Sequence, residues 1–469
     1  MATNAEQWYP VLSLQHTDPE RAHAVQLLGK ELVVWRNNEG RWSCFDDRCP
    51  HRAAPLTEGR VEKDGSLLCA YHAWRFDADG MCLNIPQSDR EGKDEAQVKA
   101  CAKVYPTQAA QDIIWVWGEN GADAGLESAL NPLPLIAELD DADGLKSGRV
   151  IAGAVLQRDM PCGWDTFFEN IMDPAHVVVS HHGRMGTRSM AKPLRIEQVQ
   201  PSLGKNGFTI ENYSPQFGAK KGVSKFVPPA LTETSTELGN GVVIKLIQYN
   251  VPMRPGWSRM VYRQMTIFPN GKKDKANFVS SFLTRISPNR GDPNEKPAWM
   301  QHLNNHLFVH QDMVLLHHQE KIMASTGHTG SKWGKGVYTP TTSDNGVITL
   351  RKWLKKYAPT GPPWAKGCDQ NLPGREHNRD VIFDVYRDHT KHCTACLGAL
   401  KRVNQGVQAA RISAVASLAW AILRGARSVS ASASTSGSVL SFATAGTMFP
   451  GMVVMLASLR TIKVCCVDV

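Results

Sequence analysis

The first quarter of the chain is patterned as short β-rich apolar runs set between polar turn residues. Glu31–Trp35, Arg41–Phe45 and Ile113–Trp117 carry the β-branched and aromatic residues of strands, and Asn37-Asn38 and Asp79-Gly80 punctuate them as turns. Residues 7–118 are therefore predicted to form a small all-β domain. From 119 to 390 the periods mix. Val150–Gln157, Val242–Pro252 and Arg259–Pro269 read as strands, whereas Cys162–Ala175 and Ala298–Ser325 read as helices, the second long and rich in polar and charged residues. The fold class is α+β. Residues 391–469 form a third texture, rich in Ala, Ser, Val and Leu, with two apolar stretches. Ile412–Leu423 has 12 residues between Arg411 and Arg424, and Val439–Leu459 has 21 without a charge, followed by Arg460 and Lys463. A span needs ~20 apolar residues, so the second is long enough. The first crosses only if its arginines snorkel, and otherwise lies in the interface. The second also carries Ser441, Thr444, Gly446, Pro450 and Gly451, so a buried soluble helix is its alternative. Ser428–Ser438, between the two, reads as a linker.

Composition narrows the class. With 42% apolar and 21% charged residues in 469, a large core is possible and wholesale disorder is excluded. Lys plus Arg is 53 and Asp plus Glu is 44, a net +9 that is too weak to argue for nucleic acid. Residues 387–469 hold nine Lys or Arg and two Asp or Glu, so +7 of that charge belongs to the tail and suits an anionic membrane surface. Eleven cysteines at irregular spacing imply no disulfide framework and favour a reducing compartment with metal or redox cysteines. Met1–Gln15 lacks the charged and apolar regions of a secretory signal, and no long Ser/Arg-rich transit stretch is evident.

The chemistry begins with Cys49-Pro50-His51 and Cys69-Ala70-Tyr71-His72, which are 17 residues apart. Two thiolates and two imidazoles can hold a tetrahedral zinc or one iron–sulfur cluster. A zinc finger usually groups its cysteines and its histidines separately, whereas here each loop supplies one of each. The mixed pairing suits a two-iron Rieske cluster, with one iron on Cys49 and Cys69 and the other on His51 and His72. Imidazole in place of thiolate removes negative charge and raises the potential.

A second pattern follows. Asp173, His176 and His181 have the spacing Asp-x-x-His-x-x-x-x-His. Two imidazoles and a carboxylate make a facial triad that leaves iron positions open. The five-residue step fits one helix face poorly, and Pro174 disturbs the helix, so a bent segment must aim both rings at one point. A polar surface helix with incidental histidines is the alternative. The third ligand must come from a distant carboxylate. Asp312 on the long helix is favoured, with Glu320 as its rival. His302, His306 and His310, spaced by four on that helix, read as a solvated or partly buried polar face.

With both motifs in place, the chain resembles the Rieske non-heme iron oxygenases over nearly its whole length. Within them it is most similar to the plant, algal and cyanobacterial group of pheophorbide a oxygenase and its relatives. The words that carry this are Gln7-Trp8-Tyr9-Pro10-Val11, Phe168-Glu169-Asn170 with Asp173-Pro174-Ala175-His176, Ser180-His181-His182, Gln311-Asp312, and His389-Thr390-Lys391-His392-Cys393 with Cys396. The resemblance implies a helix-grip catalytic domain over 119–390, an antiparallel sheet around a long helix, and a membrane-anchoring tail over 391–469. It implies a [2Fe-2S] cluster, a mononuclear Fe(II), ferredoxin as donor, dioxygen as oxidant and a homotrimer. It gives Asp173 the role of bridging His176 to the cluster ligand His72 across subunits. It also implies a chlorin substrate from chlorophyll breakdown, with pheophorbide a first, at a thylakoid, inner-envelope or cyanobacterial membrane. Trp164, Phe167 and Phe168 mark an apolar region that serves as core or as substrate pocket.

Cys393 and Cys396 form a Cys-x-x-Cys pair beside Lys391 and His392, and positive neighbours lower a thiol pKa. In the resembled group this is a thioredoxin-responsive redox pair. A zinc half-site with His389 and His392, or unreactive packing, are the alternatives. The competing functions are oxidation of another tetrapyrrole (chlorophyllide, protochlorophyllide or a phyllobilin), a choline-type monooxygenase, and a non-catalytic redox-sensing envelope protein. The Cys-x-x-Cys tail argues against the choline type. The second iron motif argues against the sensor.

Overall fold

A computed structural model describes residues 6–88, 99–199, 203–213, 219–238, 241–269, 271 and 296–432. The chain divides into two compact units, Met1–Ile382 and Phe383–Val469.

The first unit opens with three antiparallel sheets. Trp8–Ser13, Ile113–Trp117 and Thr107–Ala110 make one; His23–Leu27, Lys30–Arg36, Trp42–Asp46 and Val104–Tyr105 make the next. A small sheet of Arg60–Val61, Leu67–Leu68, Arg75–Phe76 and Cys82–Asn84 carries the Cys69–His72 loop between its second and third strands, and the Cys49–His51 loop follows Trp42–Asp46. Trp35, Phe45, Leu67 and Phe76 form the core beneath them, and Cys49 and Cys69 belong to the same buried cluster. The three strands expected here from their β-rich runs are all present.

An eight-stranded antiparallel sheet follows. Its order is Val150–Ala152, Trp257–Ile267, Val243–Arg254, Leu231–Leu238, Ala219–Val227, Phe208–Tyr213 and Arg195–Gln198, with Leu156–Met160 also pairing onto Trp257–Ile267. The run predicted as one strand over 150–157 is thus two. Gly153 N–H bonds Gln264 O at 2.8 Å, but Ala154 N–H turns to the Gln301 side chain at 2.8 Å, which breaks the ladder. Trp115 meets Tyr249 edge-on at 5.2 Å, so the aromatic strand of the β domain shares a core with the large sheet.

The helix predicted over 162–175 is shorter. Helix α1 covers Trp164–Ile171 and stops before Asp173-Pro174, where proline supplies no donor and biases its predecessor out of the helical region. One turn, α2, spans Val177–Ser180. The long helix α3 covers Ala298–Ser325, as its sequence predicts. His302, His306 and His310 on it are 0%, 3% and 7% exposed, so the expected solvated or partly buried face is a buried one. The fully buried Arg158 reaches His306 Nδ1 at 3.3 Å, and burial pushes His310 down to about 2, assisted by Arg158 and Arg184. A neutral imidazole is therefore favoured at His310.

Helix α4, Asn345–Tyr357, packs with α1 on the sheet. Phe168 is fully buried, with Phe226 at 5.0 Å and Trp164 at 5.5 Å edge-on, so these aromatics are core residues. Phe168→Ala is expected to cost about 3–5 kcal/mol of stability, measured by denaturant unfolding, because a cavity replaces the ring. Arg351 of α4 ties the pair together, bonding Glu169 and, at 2.7 Å, Asp165.

In the second unit, α5 runs unbroken from Thr394 to Ser432 and passes through Arg411 and Arg424. The 12-residue apolar run is therefore a segment of a longer helix. The expected linker is helical over its first residues, 428–432, and the rest of it, with the stretch Val439–Leu459, lies outside the described residues.

Candidate metal centres

The two Cys–His loops are built alike. In the first, Ala53 N–H bonds Cys49 O at 2.9 Å and Cys49 N–H bonds Ala54 O at 2.8 Å. In the second, Ala73 N–H bonds Cys69 O at 3.0 Å and Cys69 N–H bonds Trp74 O at 2.9 Å. Each turn closes through an alanine in the left-handed region, with φ 60° at Ala53 and 57° at Ala73. That conformation costs a non-glycine residue about 1–2 kcal/mol, and such strain concentrates at functional sites. The loops set His51 and His72 4.6 Å apart between ring centres, with His51 stacked on Trp74 at 4.3 Å. Tyr71, beside His72, is exposed, so the imidazole end of the site faces outward.

Burial pushes the Cys49 thiol above the usual range, and the adjacent Cys69 raises it further, while the backbone N–H groups of His51 and Arg52 act to lower it. His51 Nδ1 is buried with no hydrogen-bond partner. Two crowded buried thiols and an unsatisfied imidazole nitrogen are the donors that a metal cluster satisfies. Amide donors to the cysteine sulfurs would also raise a cluster's potential.

The second centre joins α2 to α3. His176 precedes α2 and His181 follows it, so one helical turn separates the two rings. His181 Nε2 lies 3.1 Å and His176 Nε2 3.7 Å from Asp312 Oδ2, and the three ligand atoms lie within 4.8 Å of one another. His181 is held by Gln311 Oε1 at 3.1 Å to Nδ1 and by Phe308 stacked at 3.6 Å. His176 Nδ1 bonds the backbone oxygen of Asp173, and Ser180 Oγ donates to Asp312 Oδ1. Burial raises the Asp312 carboxyl, but the hydrogen bond from His181 and the charges of both imidazoles outweigh it, leaving it below the ordinary range. The anion is thus favoured between two Nε2 atoms whose rings are oriented from behind, a donor set that fits Fe(II).

Glu320, the rival, is elsewhere. Its Oε1 accepts from Gly163 N–H at 2.8 Å and its Oε2 from Lys321 at 2.8 Å. A Cβ at Gly163 would stand 2.3 Å from that oxygen, so a larger residue there would push the carboxylate aside. Asp173 keeps its carboxylate Oδ2 3.8 Å from His176 Nδ1 and accepts from Ala175 N–H at 2.9 Å. Asn170 Nδ2, 3.3 Å from His176 Nε2, and Ser180, Gln311 and Phe308 had no assigned role in the sequence reading. Asn170, Ser180 and Gln311 belong to the words that carry the family resemblance, whereas Phe308 is signalled only by its place one helical turn before Asp312.

Comparison with known proteins decides the class. Residues 7–106 match the model of the Rieske [2Fe-2S] domain, and residues 226–329 match that of pheophorbide a oxygenase. Pheophorbide a oxygenase, chloroplastic, of Oryza sativa subsp. japonica is 32% identical over 414 residues, covering 84% of this chain and 73% of that protein. The chain belongs to the Rieske non-heme iron oxygenases, in the pheophorbide a oxygenase group. Flavonoid 8-hydroxylase 2, chloroplastic, of Ocimum basilicum is also 32% identical, over 440 residues, covering 88% of this chain and 77% of that protein. The crystal structure of dicamba monooxygenase bound to dicamba shares the fold, with a TM-score of 0.53 at 16% identity, over 76% of this chain and 98% of that one. As a Rieske oxygenase the protein uses a [2Fe-2S] cluster and a mononuclear iron.

Proposed function

We propose that the protein is a ferredoxin-dependent oxygenase of a chlorophyll-derived chlorin, with pheophorbide a as its substrate and ring-opening oxygenation as its outcome. In this reading Cys49, His51, Cys69 and His72 hold the cluster and His176, His181 and Asp312 hold the iron. When bound, the cluster supplies single electrons and the iron binds and activates dioxygen. The chain's residues do the positioning. Gln311 and the Asp173 backbone oxygen fix which nitrogen of each histidine faces the centre, and Ser180 fixes the carboxylate. Residues 7–118 serve as electron entry, 119–390 as the oxygenating domain and 391–469 as the anchor.

The observation that carries the reading is the joint presence of both donor sets in a chain 32% identical to a pheophorbide a oxygenase. The flavonoid hydroxylase at equal identity makes the substrate the point to test. The experiment is product analysis with reduced ferredoxin, dioxygen and a panel of pheophorbide a, chlorophyllide, protochlorophyllide, a phyllobilin and flavones. Oxygenated pheophorbide supports the proposal; turnover of a flavone or another tetrapyrrole alone rejects it. A non-catalytic redox sensor has no use for three converging ligands apart from the cluster.

The wider reading includes a homotrimer in a chloroplast membrane. In such a trimer Asp173 links His176 to His72 of a neighbouring copy, which the outward-facing His72 permits. Asp173→Ala is expected to keep both metals and slow electron transfer to the iron at least about tenfold; an unchanged single-turnover rate would reject the bridge. Attachment rests on α5. Thr394–Gly425 is long and apolar enough to cross a membrane, with Ile412, Val415, Leu418 and Ile422 exposed along it. Removing residues 406–469 is expected to shift the protein from the membrane pellet to the supernatant.

A further inference from the structure

We propose that His389, Cys393 and Cys396 form a zinc site at the start of α5, built from residues that neither iron centre uses. The three ligand atoms lie within 4.8 Å of one another, and His389 Nε2 is 3.3 Å from Cys396 Sγ. In a tetrahedral zinc site with Zn–S of ~2.3 Å and Zn–N of ~2.0–2.1 Å, ligand atoms stand roughly 3.5–3.8 Å apart. The imidazole and thiol are thus within a few tenths of an ångström of the required edge. His389 supplies the nitrogen; His392, the second imidazole of the alternative half-site, is not among the grouped ligand atoms.

Local structure builds the cluster. A short 3-10 turn, Thr390–His392, separates His389 from Cys393, and the Cys393 N–H closes on Thr390 O at 3.2 Å. Leu397 N–H then bonds Cys393 O at 2.9 Å, so Cys396 lies in the first turn of α5, beside Cys393.

The same geometry weighs against a thiol-exchange pair. Exchange needs an accessible thiolate. Cys393 is 3% and Cys396 7% exposed, and His389 is 4% exposed. A Cys-x-x-Cys pair needs no buried imidazole to form a disulfide, whereas a metal site gains a third ligand from it. Two sulfurs and a nitrogen are soft donors that select Zn(II) over Mg(II) or Ca(II). Binding converts two S–H groups to thiolates and releases two protons, with no change of oxidation state. Zinc here would pin the entry to α5.

The test uses the untagged full-length chain, produced with zinc and washed with chelator. It should hold about one zinc per chain beyond its iron, with two sulfurs at ~2.3 Å in zinc-edge X-ray absorption. Cys396→Ser and His389→Gln should each lower the zinc below about a tenth per chain while the Rieske absorption stays unchanged. His389→Cys, which restores a donor, should keep the zinc and so separate lost ligation from lost folding. Zinc retained in both the Ser and Gln variants lies elsewhere and overturns the site. A zinc-free wild type whose Cys393 and Cys396 form a reversible disulfide also overturns it, in favour of a dithiol pair.

Discussion

Asp312→Ala is expected to lower the iron content from about three to about two per chain and to leave the acid-labile sulfide unchanged. Oxygen uptake should fall by more than the ~10–100-fold typical of losing an outer-shell partner. The reason is geometric. His176 and His181 are separated by one turn, and both direct Nε2 at the Asp312 carboxylate, 3.7 and 3.1 Å away. Without Asp312 the two imidazoles keep their supports, Gln311 and the Asp173 backbone oxygen, but lose the anion that offsets the charge of a bound cation. Glu320→Gln is the matched control. It removes a buried carboxylate from the same helix, one bound to Gly163 and Lys321, and iron content should not change. Iron analysis and oxygen-electrode rates on both variants check the pair. Loss of iron in the Glu320 variant alone would exchange the two roles.

Much of this site was legible in the sequence because ligand chemistry constrains both residue type and spacing. Cys49 to His72 sit on loops between short strands, and a local pattern suffices to read them. Asp312 was chosen by ligand type and resemblance, and the structure places it between both imidazoles. What escaped depends on tertiary position. His302, His306 and His310 look like a polar face, since four-residue spacing does not reveal which side of α3 meets Arg158. The break at residues 153–155 depends on Gln301, far along the chain. Ala53 and Ala73 give no local cue for positive φ, because glycine or asparagine is the expected residue there. The helical character of 428–432 was missed because serine and alanine suit a linker and a helix nearly alike.

Cys49→Ala is expected to remove the whole cluster, and with it about two irons and the acid-labile sulfide, while about one iron stays on the second centre. Turnover should stop even though that centre is intact, because no other described group is suited to deliver electrons to it. The loss should also reach the fold. Cys49 is 2% exposed and packs in the cluster of Trp35, Phe45 and Phe76, and its loop holds Ala53 at positive φ. Metal ligation and folding of such loops are coupled, so the Rieske domain matched over residues 7–106 should also unfold at lower denaturant. The variant separates a Rieske cluster from a structural zinc at the same four residues. A zinc site would lose about one metal and no sulfide, and it would leave visible absorption unchanged. The expected loss of colour, sulfide and turnover together, with one iron retained, is the pattern that a two-centre oxygenase alone produces.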